Sequence, residues 1–261
     1  MGLLTDIVER VRADMVEHPP NEGHLWMRTR ALPAAGDLRA ALQRPGTAII
    51  GQVERASPWA GEMPDVDPGD QAAAYESGGA AAVSILTEPR HFGGSLLEVR
   101  AARRRTDLPI LRNDFIVHPA QVLEARAEGA DAVVLVVAAL SELELEALLG
   151  AVRDVGLQAV MEAHDEAELE RALATGEPLV GVNARDLETL DVDVNRALSL
   201  SRRVPPDRVV ILEGAVSTRA DVERAEAARA DAVLVGEALM RSSDPARTTR
   251  RLRGGLSAIR G

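Results

Sequence analysis

The sequence predicts an α/β fold, a closed (β/α)8 TIM barrel with an N-terminal helical extension, and three observations carry that reading. A phrase of small residues followed by a continuous apolar run recurs: Gly79-Ala-Ala-Ala-Val-Ser-Ile-Leu86, Gly129-Ala-Asp-Ala-Val-Val-Leu-Val136 and Ala230-Asp-Ala-Val-Leu-Val-Gly236. Runs apolar on both faces fit parallel strands covered on both sides. Amphipathic stretches such as Ser141 to Val155 and Asp165 to Ala174 lie between them, at the spacing of βαβ units. The first strand is followed by no glycine-rich dinucleotide turn, which disfavours an open doubly wound sheet.

Taken in order, strands are expected at about 47–54, 81–86, 109–113, 132–137, 158–163, 179–183, 208–213 and 232–236. Each is followed by a helical segment. Residues 1 to 45 carry helical stretches on either side of His18-Pro-Pro-Asn-Glu-Gly23 and read as a cap on a barrel spanning 46–261. The whole chain, 1–261, is expected to be one domain, a size usual for this architecture.

Composition narrows the function. Hydrophobic residues make up 46%, so a packed core is expected. The longest apolar runs are too short to span a bilayer, and Asp6, Glu9 and Arg10 interrupt the first turns where a leader would be apolar. A soluble, cytoplasmic protein without a membrane partner is the expectation. A net charge of -11 argues against nucleic acid as a partner but leaves room for a small phosphorylated ligand held by backbone N–H groups. The absence of cysteine removes disulfides and thiolate chemistry. The histidines show no metal-ligand spacing, and neither metal nor organic cofactor is expected. All 30 basic residues are arginine. Arginine stays protonated, so neither an ordinary proton-donating ammonium nor a lysine Schiff base is open to this chain.

Barrel enzymes carry their sites at the C-terminal ends of the strands. Those ends are polar here: Gln52 and Glu54 on the first, Asn113 and Asp114 on the third, Glu162 on the fifth, Asn183 and Arg185 on the sixth, Glu213 on the seventh. One carboxylate at a strand end is usually solvated or salt-bridged; several at equivalent ends converge on one mouth. Aromatic residues are only 2% of the chain, yet Trp59, Phe92 and Phe115 fall in loops after the first three strands, where they suit stacking on a flat ligand. His164 follows Glu162 by two residues and is expected to point away from the mouth. The tail from Arg247 to Arg253 reads as the exposed face of the last helix.

Arg55-Ala-Ser-Pro58, Ser84-Ile-Leu-Thr-Glu88 with Phe92-Gly-Gly-Ser95, Asp114-Phe-Ile116, Gly181-Val-Asn183 with Arg185-Asp-Leu187, and Val235-Gly-Glu-Ala-Leu-Met240 together resemble the indole-3-glycerol phosphate synthase family, from about residue 47 to 252. The resemblance implies closure of an indole ring on a carboxyphenylamino-deoxyribulose phosphate, with loss of carbon dioxide and water. It also implies a phosphate site after the seventh and eighth strands, at Gly214, Ala215, Gly236 and Glu237, with Ser57 as a hydroxyl contact. Those glycines serve tight turns equally well. Phe92 and Phe115 match the family's aromatic pocket, and Glu162, Asn183 and Arg185 match its polar positions.

The departures fall on the chemistry. Gln52-Val-Glu54 stands where the family has Glu-x-Lys, Asn113 where it has the lysine expected as general acid, and Glu213-Gly-Ala215 where it has Glu-Ser-Gly. Trp59 and Ala184 also leave the pattern. A carboxylate facing the substrate's carboxylate is repulsive, so Glu54 is expected to exclude the family's substrate and favour a cationic one. The leading expectation is a diverged, carbon–carbon bond-forming enzyme that joins a tryptophan-like amine or indole to a sugar phosphate. A Pictet–Spengler closure in secondary metabolism is its specific form, with Glu162 as base, Glu213 as acid, Glu54 facing the amine, Asn113 beside them, and Gln52, Trp59, Phe92, Phe115, Asn183 and Arg185 binding substrate. Alternatives are the family's own reaction, with Glu54 and Glu162 acting through water, and an inactive phosphosugar-binding barrel.

Overall fold

The computed structural model describes residues 2–254. Eight parallel strands close into one barrel: β1 (Ala48–Val53), β2 (Ala82–Leu86), β3 (Ile110–Asn113), β4 (Ala132–Val136), β5 (Gln158–Ala163), β6 (Leu179–Asn183), β7 (Val209–Glu213) and β8 (Ala232–Val235). Each pairs with its neighbours in sequence, and β1 against β8 completes the ring. The recurring apolar phrases are β2, β4 and β8, and their side chains are buried throughout, as strands covered on both faces require.

Helices follow every strand. Ahead of the barrel come α1 (Leu3–Glu17), α2 (Glu22–Arg30) and α3 (Leu38–Leu42); around it run α4 (Pro68–Ser77), α5 (Leu96–Arg103), α6 (Pro119–Glu128), α7 (Glu142–Val155), α8 (Glu166–Ala174), α9 (Val194–Ser201), α10 (Arg219–Ala227), the short α11 (Glu237–Met240) and α12 (Pro245–Arg253). Their starts are written in the sequence. Asp67, Ser141, Asp165, Asp193, Thr218 and Asp244 each accept a backbone N–H of the first turn, and Ser141 and Thr218 complete reciprocal capping boxes.

The N-terminal helices close both ends of the barrel. Leu4 N–H donates to the Leu187 carbonyl, Arg12 Nη2 to the Ala139 carbonyl, and Arg90 pairs with Asp14, so α1 crosses the mouth over the loops after β6, β4 and β2. At the opposite end Asp131 accepts from Gly36 N–H and Gln158 from Arg39 N–H, which fixes the approach to α3 beneath the strand starts.

Register sets the site. Gln52 lies opposite Ser84, Leu86 opposite Asn113, Val136 opposite Glu162 and Asn183 opposite Glu213. The polar strand ends therefore lie at one level. Gly51, inside β1, is explained by Tyr75: a Cβ there would lie 2.4 Å from the buried ring, whose hydroxyl donates to the Gln52 carbonyl at 2.8 Å. A short hairpin, Ala56–Ser57 against Gly61–Glu62, was not legible in the alternation because each arm is only two residues long. Among the described residues no helix is long and apolar enough to cross a membrane.

Candidate active site

The mouth holds a cleft of two joined lobes. The inner lobe is floored by Gln52, Glu54, Asn113, Glu162, Asn183 and Glu213 and walled by Trp59, Phe92 and Phe115. The outer lobe opens past Glu54, Trp59 and Arg185 towards Gly214, Ala215, Gly236, Glu237 and Arg241. Fourteen of the fifteen candidate residues named from the sequence thus meet in one cleft.

Ser57 is the exception. It is buried, and its Oγ accepts from Ala60 N–H at 3.1 Å, tying down the loop that carries Trp59. It lines neither lobe, and what it supports is that loop.

The aromatic wall is built as the sparse aromatics suggested. Phe92 meets Trp59 edge to face with centroids 5.7 Å apart, and Phe115 at 6.2 Å. Glu88 sets the Phe92 loop, because its buried carboxyl accepts the backbone N–H groups of Arg90, His91 and Phe92 at 3.0, 2.7 and 3.0 Å. The Arg185 guanidinium sits 4.0 Å from the Trp59 ring centroid, a cation–π contact, while Nη1 donates to the Leu190 carbonyl.

On the floor, Gln52 links three strands. Its Oε1 accepts from Ser84 Oγ at 3.1 Å and Asn113 Nδ2 at 3.0 Å, and its Nε2 donates to Glu54 Oε2 at 2.9 Å. Burial pushes Glu54 up to about 7, with the Gln52 hydrogen bond opposing and Glu237 adding like charge. Gly236 makes the space: a Cβ there would stand 2.9–3.0 Å from the Glu54 carboxyl.

Across the floor, Glu162 Oε1 accepts from Asn183 Nδ2 at 3.0 Å. Glu213 is fully enclosed, and burial, reinforced by the charge of Glu162 and opposed by His164, raises it well above the ordinary carboxylate range. Its Oε1 has no hydrogen-bond partner, and a Cβ on Gly181 would lie 2.7 Å from it. A carboxyl that favours its protonated form thus stands close to the Glu162 carboxyl, an arrangement suited to giving one proton and taking another.

His164 lines neither lobe, yet it touches the floor from behind: its Nε2 lies 3.1 Å from Glu162 Oε1, without hydrogen-bond alignment, and its Nδ1 lies 2.9 Å from Glu168 Oε2. The i, i+2 spacing from Glu162 was the available signal for that contact. Arg241 was also missed. It lines the outer lobe from the end of α11, and its Nε donates to Glu237 Oε1 at 3.0 Å. Asp114, conspicuous in the sequence, is committed to an internal ion pair with Arg112 at 2.8 Å. Among the described residues no group of His, Asp and Glu has the arrangement of a metal site.

Comparison with known proteins places this geometry. The family model described as "Indole-3-glycerol phosphate synthase" matches residues 4–252, reaching through the N-terminal helices that the sequence motifs alone left out. A protein of that name from Mycolicibacterium gilvum is 46% identical over 246 residues, covering 93% of this chain and 90% of its own length. Another from a Nocardioides species is 44% identical, over 97% and 99%. A third from Micrococcus luteus is 42% identical over the full length of both. A crystal structure of 3-hexulose-6-phosphate synthase superposes with a TM-score of 0.64 at 15% identity, covering 80% of this chain and 99% of that one, which supports the fold alone.

Proposed function

The chain belongs to the indole-3-glycerol phosphate synthase family, and from that premise we propose that it closes a ring by forming a carbon–carbon bond on an aryl amine joined to a sugar phosphate. The observation that carries this reading is the inner lobe, where Glu54, Glu162 and Glu213 face the aromatic wall of Trp59, Phe92 and Phe115. The wall takes the aryl ring. Glu162 is the base: on an amine-bearing substrate it removes the proton of the reacting indole carbon, and on a carboxyphenyl substrate, whose reacting ring carbon loses carbon dioxide instead, it removes a proton from the sugar-derived carbon as water leaves. Glu213, held neutral, is the acid that protonates the departing oxygen. Gly214, Ala215, Gly236 and Glu237 frame the outer lobe, where backbone N–H groups after β7 and β8 would receive the phosphate.

Two substrates meet that description. Identity of 42–46% to relatives of one name, over nearly the whole chain, supports the family's own reaction on a carboxyphenylamino-deoxyribulose phosphate, and this reading has the broader support. Glu54 and Glu162 would then act through water where the family is expected to use lysine.

A specific observation favours the second. No lysine is present, and the end of β1 and β3 nearest the ligand is the neutral and acidic set Gln52, Glu54 and Asn113. A buried carboxyl at position 54 suits an ammonium or iminium better than a substrate carboxylate. A tryptophan-like amine condensed with an aldose phosphate, closing in the Pictet–Spengler manner, needs iminium stabilisation and a base, and carboxylates supply both.

The test is to incubate the purified chain with the carboxyphenylamino-deoxyribulose phosphate, following indole fluorescence, and separately with tryptophan or tryptamine plus short aldose phosphates, following product mass. Turnover of about 1 s⁻¹ in the first assay assigns the family's reaction. A cyclised adduct in the second assigns the amine-bearing substrate. Failure of both, with a phosphosugar still bound, returns an inactive binding barrel and overturns the proposal.

A further inference from the structure

Opposite Glu54, on the other side of the floor, three side chains stand in line. His164 Nε2 is 3.1 Å from Glu162 Oε1, and His164 Nδ1 is 2.9 Å from Glu168 Oε2. Glu168, in the first turn of α8, is itself held, because its Oε2 also accepts His164 N–H at 2.8 Å and its own N–H is capped by Asp165. His164 is 5% exposed and Glu162 3%, so water does not compete for the imidazole. Residue 164 follows the last residue of β5, two positions after Glu162, and the first turn of α8 folds back over both.

We infer that His164, clamped by Glu168, is a positioning residue that holds Glu162 as the ionised base and thereby leaves Glu213 as the acid. This rests on the reading of Glu162 and Glu213 given above. A carboxylate close to each nitrogen favours the doubly protonated ring: Nδ1 by its hydrogen bond to Glu168, and Nε2 by charge, since it lies 3.1 Å from Glu162 Oε1 without hydrogen-bond alignment. The imidazolium and the Asn183 amide both meet Glu162 Oε1. Oε2 is therefore the oxygen left to face the substrate. The positive charge stabilises the Glu162 carboxylate, and that carboxylate together with burial discourages ionisation of Glu213 across the floor, outweighing the direct opposing pull of His164. One cation thus separates the roles of two neighbouring carboxyl groups.

The charged groups around His164 are mostly carboxyl groups. They are Glu162 from β5, Glu168 from α8, Glu213 from β7 and Asp186 from the loop after β6, with Arg196 beside Asp186. Burial alone would favour the neutral ring; the flanking carboxylates outweigh it and hold His164 protonated to about 10.

Two measurements test the inference. The first needs no substrate. In the full-length protein, the imidazole carbon and nitrogen NMR shifts of His164 are followed against pH, assigned by comparison with His164→Asn. The doubly protonated signature is expected to persist past pH 8 in the wild type and to titrate at lower pH in Glu168→Gln. An imidazole that titrates near 6.5 in the wild type overturns the clamp, whatever the enzyme's substrate.

The second uses whichever substrate the assays above establish. His164→Asn is expected to move the acid limb of kcat/KM upward by about 1–3 pH units, with Glu168→Gln moving it less. A merely structural role would lower the rate at all pH values alike and leave the limb in place, and that outcome rejects the positioning role even if the NMR result holds.

Discussion

At the scale of single residues, the site is governed by what burial does to carboxyl groups. Glu54 has one neutral hydrogen-bond donor, Gln52, and is otherwise enclosed, so its proton is retained to about 7. A carboxyl raised in the folded state stabilises the fold below its unfolded value and loses that contribution as pH climbs through the folded value. The affected window runs from about 4.5 to about 7. Across it the native state loses on the order of 3 kcal/mol from this residue. Glu54→Gln, which cannot ionise, should therefore match the wild type in thermal stability at pH 4.5 and exceed it by several degrees at pH 8. A difference in Tm that does not grow with pH would show that Glu54 ionises freely.

Gly181 is the second prediction at this scale. Because a Cβ would reach within 2.7 Å of Glu213 Oε1 and 3.2 Å of Val160, Gly181→Ala must displace the acid while touching little else. Turnover should fall by about 10²-fold or more, the contribution of a general acid, with far-UV circular dichroism unchanged. Retained activity would remove Glu213 from the mechanism.

At the scale of elements, every α-helix except α1 and α11 is started by a side chain that the sequence displays, and α7 shows how much that is worth. Ser141 Oγ accepts Glu144 N–H while Glu144 Oε2 takes the Ser141 backbone N–H at 2.8 Å. The Ser141 hydrogen bonds hold the Glu144 carboxyl below its ordinary range. Ser141→Ala should cost about 1 kcal/mol. That is a fall of roughly 2–4 °C in Tm for a chain of this size. The loss should narrow at acid pH, once Glu144 is protonated and the box is open in both proteins. Differential scanning calorimetry at two pH values measures it. The same helix starts explain why the expected strand limits lie within about a residue of those observed, for caps and glycine turns are local signals that tertiary packing does not move.

At the scale of the whole molecule, the closed ring makes the mouth a single object to which all eight strands contribute. A ligand seated in both lobes binds only the folded barrel and stabilises it by mass action. A phosphosugar at about a hundred times its dissociation constant should add roughly 2.7 kcal/mol and raise Tm by about 5–10 °C. Arg241→Ala should reduce that shift by removing a cation from the outer lobe while leaving the ligand-free Tm within about a degree. An unchanged shift would place the phosphate elsewhere.

The sequence by itself determined the alternation of strand and helix, the polar residues at the strand ends, the family and the absence of lysine. All of these are local patterns or matters of composition. It also brought fourteen candidate residues to one mouth, because in a closed parallel barrel equivalent strand ends must converge. Only the tertiary structure decided where side chains turn once they arrive. Ser57 folds under its own loop, Asp114 is taken by Arg112, Arg241 reaches in from the end of a four-residue helix, and His164 is held between two carboxyl groups behind the floor. These outcomes depend on partners distant in the chain and on the low dielectric of a closed interior, and both arise only when the ring is complete.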